Sequence, residues 1–257
     1  MGELLMGSLM KREFVFCAAP VLLLSSVASG AIISNFSRTE VAEATGAYDI
    51  SAMGSADWAV WDIASDTTSA TLAPSDERLA STIIQNLTAV AGDGTLRGTS
   101  SGATTKADFS WTDGTNDLVG GVANVVGIFN ADLDSDGAGV NLNFVLPTLE
   151  TYEVSVWLGV YNGDADLSLS LGAETLNDSW DPGTSGFSPK RTALYTFHVT
   201  PDAPMDVLSL SYALEDDGTA NSSHVLLGAA AIRVVPEPGA LGLLVMGALI
   251  GVRRRRS

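Results

Sequence analysis

The sequence has little of the two residue types that most often carry metal, redox or nucleophilic chemistry. Cys17 is the only cysteine, and His198 and His224 are the only histidines in 257 residues. Cys17 lies in an apolar N-terminal segment, so the rest of the chain has no thiol for disulfides or nucleophilic attack. Two histidines that are isolated in the sequence argue against a hydrolytic triad or a histidine zinc site. Both histidines are expected to be structural. We therefore expect no enzyme, although two suitably spaced carboxylates would suffice for glycoside hydrolysis.

Basic residues are also scarce. The chain has 13 Lys and Arg against 30 Asp and Glu, a net charge of −17 at pH 7. Between Ile32 and Val235 the counts are 7 and 27, so the central region is more acidic than the whole. This charge argues against binding to nucleic acid or to an anionic membrane surface. It favours a solvated acidic face or association with divalent cations.

Residues 1–30 have the order of parts found in a secretory signal peptide. Two basic residues precede an apolar run at 14–24, and small residues follow at Ala28, Gly30 and Ala31. The small-x-small rule puts cleavage after Gly30, with Ala31 the neighbouring choice. An uncleaved N-terminal anchor is the alternative, disfavoured because the apolar run is short for a membrane span.

Residues 235–257 form a second segment of three parts. A Pro-Glu-Pro motif, Pro236, Glu237 and Pro238, comes first, and its prolines keep the peptide extended and accessible. The apolar run 239–252 follows; as a helix it would reach only ~21 Å, short for a hydrocarbon core of ~30 Å. The chain ends with Arg253, Arg254, Arg255, Arg256 and a serine. Such a basic end is expected to stay on the cytoplasmic side.

This tail resembles the PEP-CTERM sorting signal of Gram-negative-type bacteria, in which a Pro-Glu-Pro motif precedes a short apolar helix and a basic end. The resemblance implies that signal peptidase and a membrane-embedded exosortase act on the chain during export. It also implies a precursor anchored in the inner membrane by a C-terminal transmembrane helix, then delivery to the cell surface or an exopolysaccharide matrix. The alternative is a C-terminal anchor that is never cut, and it too places the domain outside the cytoplasm.

The region between these ends, residues 31–234, places apolar residues at alternate positions. One such run is Val140, Leu142, Phe144 and Leu146, and this period predicts strands with one buried face. About ten short strands without a long linker predict a single all-β domain, an antiparallel sandwich or jelly roll. One short helix is predicted at 74–81.

Three features of this region, in order, are similar to ectodomains found on PEP-CTERM proteins, which are galactose-binding-like jelly rolls. They are the strand 57–61, the segment 109–115, and a final apolar strand that runs into the Pro-Glu-Pro motif. This second resemblance implies a fold of that type.

The acidic segment 130–137 predicts a calcium site. Its D-x-D-x-D-G core matches the opening of an oxygen-rich calcium loop, in which Asp132, Asp134 and Asp136 would converge. The position that needs a bidentate glutamate is Asn143, so the loop would not be an EF-hand. The alternative is an acidic hairpin loop.

Five tryptophans suggest stacking on sugar rings. Four lie in predicted strands, where core packing explains them better; Trp180, in an expected loop, is the candidate for sugar contact. We therefore expect an exported structural protein of the cell surface or matrix. The alternatives are a module that binds extracellular polysaccharide and, third, a glycoside-active enzyme with paired acids in a cleft.

Overall fold

A computed structural model of the chain describes residues 30–41, 47–63, 67–78, 80, 82–91, 94–98, 107–125, 127–130, 135–183, 191–216 and 223–236. The predicted signal helix, the predicted transmembrane helix, Ala28, Glu237, Pro238 and the four terminal arginines lie outside these residues. Within the described ranges, no helix is long and apolar enough to cross a membrane.

The described chain is almost entirely strand. In the first half the elements are β1 (Ile32–Glu40), β2 (Tyr48–Asp49), α1 (Ile50–Met53), β3 (Asp57–Val60), β4 (Thr68–Ser69), β5 (Thr71–Leu72), β6 (Asp76–Glu77), β7 (Leu87–Val90), β8 (Leu96–Gly98) and β9 (Ala107–Trp111). In the second half they are β10 (Gly120–Val125), β11 (Ile128–Asn130), β12 (Gly139–Leu146), β13 (Tyr152–Tyr161), β14 (Asp164–Leu171), β15 (Glu174–Trp180), β16 (Arg191–Thr200), β17 (Asp206–Asp216) and β18 (His224–Val234).

The strands form three sheets. A nine-stranded sheet has the order β1-β16-β13-β18-β11-β8-β4, with β3 also on β18 and β6 on β3. A six-stranded sheet has the order β15-β14-β17-β12-β7-β5, and a three-stranded sheet the order β10-β9-β2. Every pairing is antiparallel except that of β2 with β9. The predicted all-β antiparallel class is confirmed.

The main core lies between the nine-stranded and six-stranded sheets, which makes the domain a sandwich. In β12, the alternate residues Val140, Leu142, Phe144 and Leu146 are fully buried, because successive side chains of a strand point to opposite faces. They belong to one cluster with Val154, Val156 and Leu158 of β13. The period-two pattern therefore predicted which residues form this core.

A second core covers the other face of the nine-stranded sheet. The three-stranded sheet and α1 pack there, with Trp58, Phe109, Trp111 and Trp157 in one buried cluster. Phe109 and Trp157 meet edge to face, their ring centroids 4.9 Å apart. Strands β13 and β18 are thus buried on both faces. The prediction of one buried face is therefore wrong for β13, because the second core covers its other face.

The helix predicted at 74–81 is wrong. Asp76 and Glu77 form the short strand β6, which pairs with Val60 and Ala59 of β3. Asp76 is 6% exposed, and its Oδ1 accepts hydrogen bonds from the amides of Thr115 (3.1 Å) and Asn116 (3.3 Å). The helical spacing could not reveal this, because the partners lie about forty positions along the chain. The helix that does form, α1, is capped by Asp49.

Candidate functional site

Both ends of the described chain leave the sandwich at one end, which we call the base. It comprises the start of β1, the end of β18 and the connections 147–151 and 201–205. A single row of paired residues crosses four adjacent strands here: Ile33, Val199, Tyr152 and Val234. Strands in a sheet are ~4.8 Å apart, so the two ends are separated by about 14 Å.

The predicted processing sites border the folded region closely. Gly30 is exposed, whereas Ala31 is 5% exposed and belongs to the main core. A Cβ on Gly172, in the β14–β15 turn, would lie 3.6 Å from that of Ala31, so Ala31 is packed at the base. Cleavage after Gly30 would leave Ala31 in place, while cleavage after Ala31 would remove a core residue. Pro236, two residues beyond β18, is exposed.

No family model, no curated protein and no solved structure matches this chain. Its function is therefore inferred from its own residues.

All five tryptophans are buried, including Trp180, so the expectation that Trp180 is exposed in a loop is wrong. Trp180 is the last residue of β15 and is 3% exposed. The Arg38 guanidinium carbon lies 5.8 Å from its ring centroid, and Arg38 pairs with Asp178 and donates to the Ser179 carbonyl at 3.0 Å. Arg38 and its partners join edge strand β1 to edge strand β15 and cover the ring. Trp180 presents no open face for a sugar.

The outer face of the six-stranded sheet instead carries an ordered set of uncharged polar side chains, which we call the polar face. One row crosses all six strands: Asn177, Ser168, Ser211, Asn141, Thr88 and Thr71. The next row contains Thr175, Ser170, Ser209 and Asn143. All ten are exposed or half-buried. Neither row has a charged member, in a region with 27 acidic residues; the exposed Asp166, two residues before Ser168 on the same face of β14, borders the first row.

Side chains of the polar face contact each other along and across the strands. Ser209 Oγ donates to Asn141 Oδ1 at 3.2 Å, and Asn141 Nδ2 lies 3.5 Å from Asn143 Oδ1. Rows along a strand repeat about every 6.8 Å and neighbouring strands lie ~4.8 Å apart, so donors and acceptors recur on a regular grid. The sequence shows which residues of each strand alternate as polar ones. It does not show the register that aligns them in rows, because most of the paired strands lie far apart in the sequence.

The predicted calcium segment is described only in part. Asp136 is exposed in the turn before β12, whereas Asp132 and Asp134 lie outside the described residues. Among the residues that are described, no three His, Asp or Glu side chains are grouped so as to hold a metal. The calcium site stays a prediction.

The two histidines differ in environment. His198 lies on the outward side of β16, as expected from the alternation, and its Nε2 is 3.4 Å from Glu153 Oε2. His224 follows the polar residues 221–223 in the sequence, but it begins β18 and is 7% exposed. Its ring centroid is 4.4 Å from that of Phe129 and 5.1 Å from that of Tyr161. These two ring contacts pack the His224 side chain against its aromatic neighbours.

A polar cluster around Asp113 was not predicted. Its Oδ1 accepts hydrogen bonds from Ser51 Oγ (2.6 Å) and Trp58 Nε1 (2.8 Å), and its Oδ2 is 3.1 Å from Arg78 Nε. The carboxylate therefore joins α1, β3 and the segment after β6. Because Trp58 belongs to the second core and Ser51 to the helix that packs there, the cluster fixes that layer in place.

Buried carboxylates near β3 and β6 also hold backbone. Asp57 is 3% exposed, and its Oδ2 accepts from the Ile84 amide at 2.8 Å. Burial, followed by the charges of Asp57 and Asp76, raises the pKa of Glu77. Asp57 and Asp76 are occupied with backbone amides, as structural acids are, so this group offers no free acid and base pair.

Proposed function

We propose that this chain is an exported protein of the cell surface or exopolysaccharide matrix, sorted and processed through its C-terminal tail by an exosortase. One observation of the fold supports this: the chain leaves β18 at the base, with Pro236 exposed two residues later. A Pro-Glu-Pro motif at that point would stand clear of the sandwich and next to the membrane that the run 239–252 enters. The precursor is inner-membrane-anchored, and the sandwich acts outside the cytoplasm.

Deletion of residues 236–257 in the native host tests the proposal. The truncated protein should be released into the medium or mislocalised, whereas normal surface retention would contradict tail-dependent sorting. The variant Glu237→Ala keeps the apolar run and the arginines, so it separates motif recognition from anchoring. It should accumulate as an unprocessed membrane precursor, and Glu215→Ala, an exposed acid of β17, is the matched control. The intact mass of the parent protein recovered from the cell surface should correspond to a chain without the signal peptide and without the C-terminal tail.

A second function, binding of extracellular polysaccharide, is favoured by the polar face. A neutral polysaccharide offers many hydroxyls and no charge, so it can hydrogen-bond to these uncharged rows without taking charged groups out of water. Each hydrogen bond exchanges with water and contributes little alone, and affinity would come from repeated contacts along the polymer. Assignment of the sandwich to galactose-binding-like jelly rolls belongs to this proposal.

Cosedimentation with the host's own polysaccharide tests the second function. The double variant Ser168→Glu/Ser211→Glu places two charges in the middle of the grid and should abolish retention by a neutral polymer. Thr39→Glu, on the exposed part of β1, controls for added charge. Retention unchanged by the double variant would contradict the assignment, and new reducing ends after incubation would favour a glycoside-active enzyme.

Calcium binding through Asp132, Asp134 and Asp136 is part of the proposal for the mature domain. Added calcium should raise its melting temperature, since a ligand that binds only the folded state stabilises it. The triple variant with Asn at these positions should lose that shift, and no change on adding or chelating calcium would dispose of the site.

A further inference from the structure

Exposed apolar side chains are concentrated at the base. Among the described residues six large hydrophobic side chains are exposed, and three of them lie there: Ile32 (44%), Leu149 (55%) and Met205 (62%). Leu149 and Met205 are in the connections 147–151 and 201–205. These connections run side by side, because β12 pairs with β17 and β13 pairs with β16. Leu149 and Met205 therefore share one surface.

Hydrogen bonds brace both connections, so the exposure does not come from loose loops. Asp206 Oδ2 accepts from the amides of Asp202 and Ala203, each at 3.1 Å. Met205 has a positive φ of 68°, and its amide donates to the Leu146 carbonyl at 2.7 Å. In the other connection, Thr148 Oγ1 lies 2.6 Å from the Tyr152 hydroxyl. Both apolar tips are held in fixed positions outside the core.

The tail fixes how far the base can be from a bilayer. Val234 ends β18, and the apolar run begins at residue 239. Five residues span at most about 18 Å when fully extended. The headgroup layer on each side of the hydrocarbon is about 5–8 Å thick. When the run is inserted, the base is therefore within reach of the headgroups.

The charge at the base selects the kind of surface. The connections and the start of β17 carry Glu150, Asp202 and Asp206, and the exposed Arg233 at the end of β18 pairs with Glu153 at 2.7 Å, so the base is net acidic. Like charges repel, so anionic lipid is disfavoured, while apolar tips gain from burial at any lipid interface. The occupant that fits is a zwitterionic bilayer surface.

We propose that, in the tail-anchored precursor, the base is docked on the headgroups of a zwitterionic bilayer, with Leu149 and Met205 inserted among them. Docking holds the strands upright and turns the polar face sideways, away from the lipid. It also fixes the Pro-Glu-Pro segment at a constant height above the membrane. The inference rests on the proposed membrane insertion of the tail.

Single cysteines test the docking, because Cys17 is the only native cysteine and Cys17→Ser removes it. The full chain would carry a fluorophore at Leu149→Cys, Met205→Cys, Asp136→Cys or Leu244→Cys. It would be reconstituted in phosphatidylcholine vesicles whose spin labels are on the headgroups or, for position 244, on the lipid chains. Asp136 precedes β12 at the end opposite the base, and Leu244 lies in the apolar run. We expect quenching several-fold stronger at positions 149 and 205 than at 136, and weaker when phosphatidylglycerol is added.

The outcomes separate this inference from the proposed function. Quenching at 244 with no excess at 149 and 205 overturns docking and leaves tail anchoring intact. Lack of quenching at 244 by lipid-chain spin labels overturns both. In the absence of lipid, the emission of the fluorophore at position 149 could instead shift with protein concentration. That result would assign the base to contact with a second copy of the chain, and it would also overturn docking.

Discussion

Tyr195 and Tyr212 face each other between the two large sheets, their ring centroids 6.1 Å apart, and both are fully buried. Neither hydroxyl has a hydrogen-bond partner of acceptable geometry among the described residues, although each is close enough to influence the pKa of the other. Burial raises the pKa of Tyr195 to about 12 and that of Tyr212 well above its ordinary value.

This pair predicts a loss of stability at alkaline pH. In the unfolded chain tyrosine titrates near pH 10, so above that pH the unfolded state loses protons that the folded state keeps. Below pH ~10 these two tyrosines do not lower the free energy of unfolding. As the pH rises toward the folded pKa, the free energy of unfolding falls, by about 2–3 kcal/mol for Tyr195. Urea unfolding between pH 8 and pH 12 measures it, those limits being chosen roughly two units around the unfolded value.

The variant Tyr195→Phe/Tyr212→Phe should keep its stability above pH ~10. At neutral pH it should stay within about 1 kcal/mol of the parent, because the double variant replaces both members of the hydroxyl pair with apolar groups of the same shape. Tyr152→Phe is the contrasting variant, since the Tyr152 hydroxyl lies 2.6 Å from Thr148 Oγ1. It should lose about 1 kcal/mol. An unchanged alkaline limb in the double variant would show that other groups cause it.

Asp113 predicts a second stability effect. Asp113→Ala leaves the indole N–H of Trp58 without its acceptor, and Trp58 is fully buried. The expected cost is about 1–3 kcal/mol in the free energy of unfolding. Asp113→Asn keeps a carbonyl oxygen and loses only the ion pair with Arg78, which is partly exposed, so it should cost less than about 1 kcal/mol. Equal losses in both variants would contradict the Trp58 hydrogen bond as the main contribution.

The sequence predicted the parts of the fold that depend on local pattern. Strands such as β12 follow from the alternation of apolar and polar residues. What it did not predict depends on partners far along the chain: β6 forms because β3 pairs with it, and Asp113 is placed by Trp58. Trp180 was misjudged because Arg38, which covers it, is more than a hundred residues away. The polar face is long-range in the same way.

Two glycines with positive φ should respond differently to alanine. Gly127 has a φ of 105°, and an added Cβ would lie 2.4 Å from the Leu227 carbonyl oxygen and 2.8 Å from the Gly228 nitrogen. Backbone atoms of β18 cannot yield cheaply, so Gly127→Ala should cost more than about 3 kcal/mol. Gly94 has a φ of 69° with no atom within 4 Å of an added Cβ. Gly94→Ala should cost about 1–2 kcal/mol, the strain of the backbone alone. Equal costs, measured by thermal unfolding, would refute a clash at Gly127.

Trp180 gives the sharpest separation between core packing and sugar contact. Because its ring is buried beneath Arg38 and lies 6.3 Å from the Tyr195 ring, Trp180→Ala should lower the free energy of unfolding by about 3–5 kcal/mol. Polysaccharide retained per folded molecule should not change, since retention is assigned to the polar face. Arg38→Ala, which uncovers the ring without removing it, should cost about 1 kcal/mol. If Trp180→Ala instead kept its stability and lost retention, the ring would have to be reached by sugar, and the polar face would lose its assigned role.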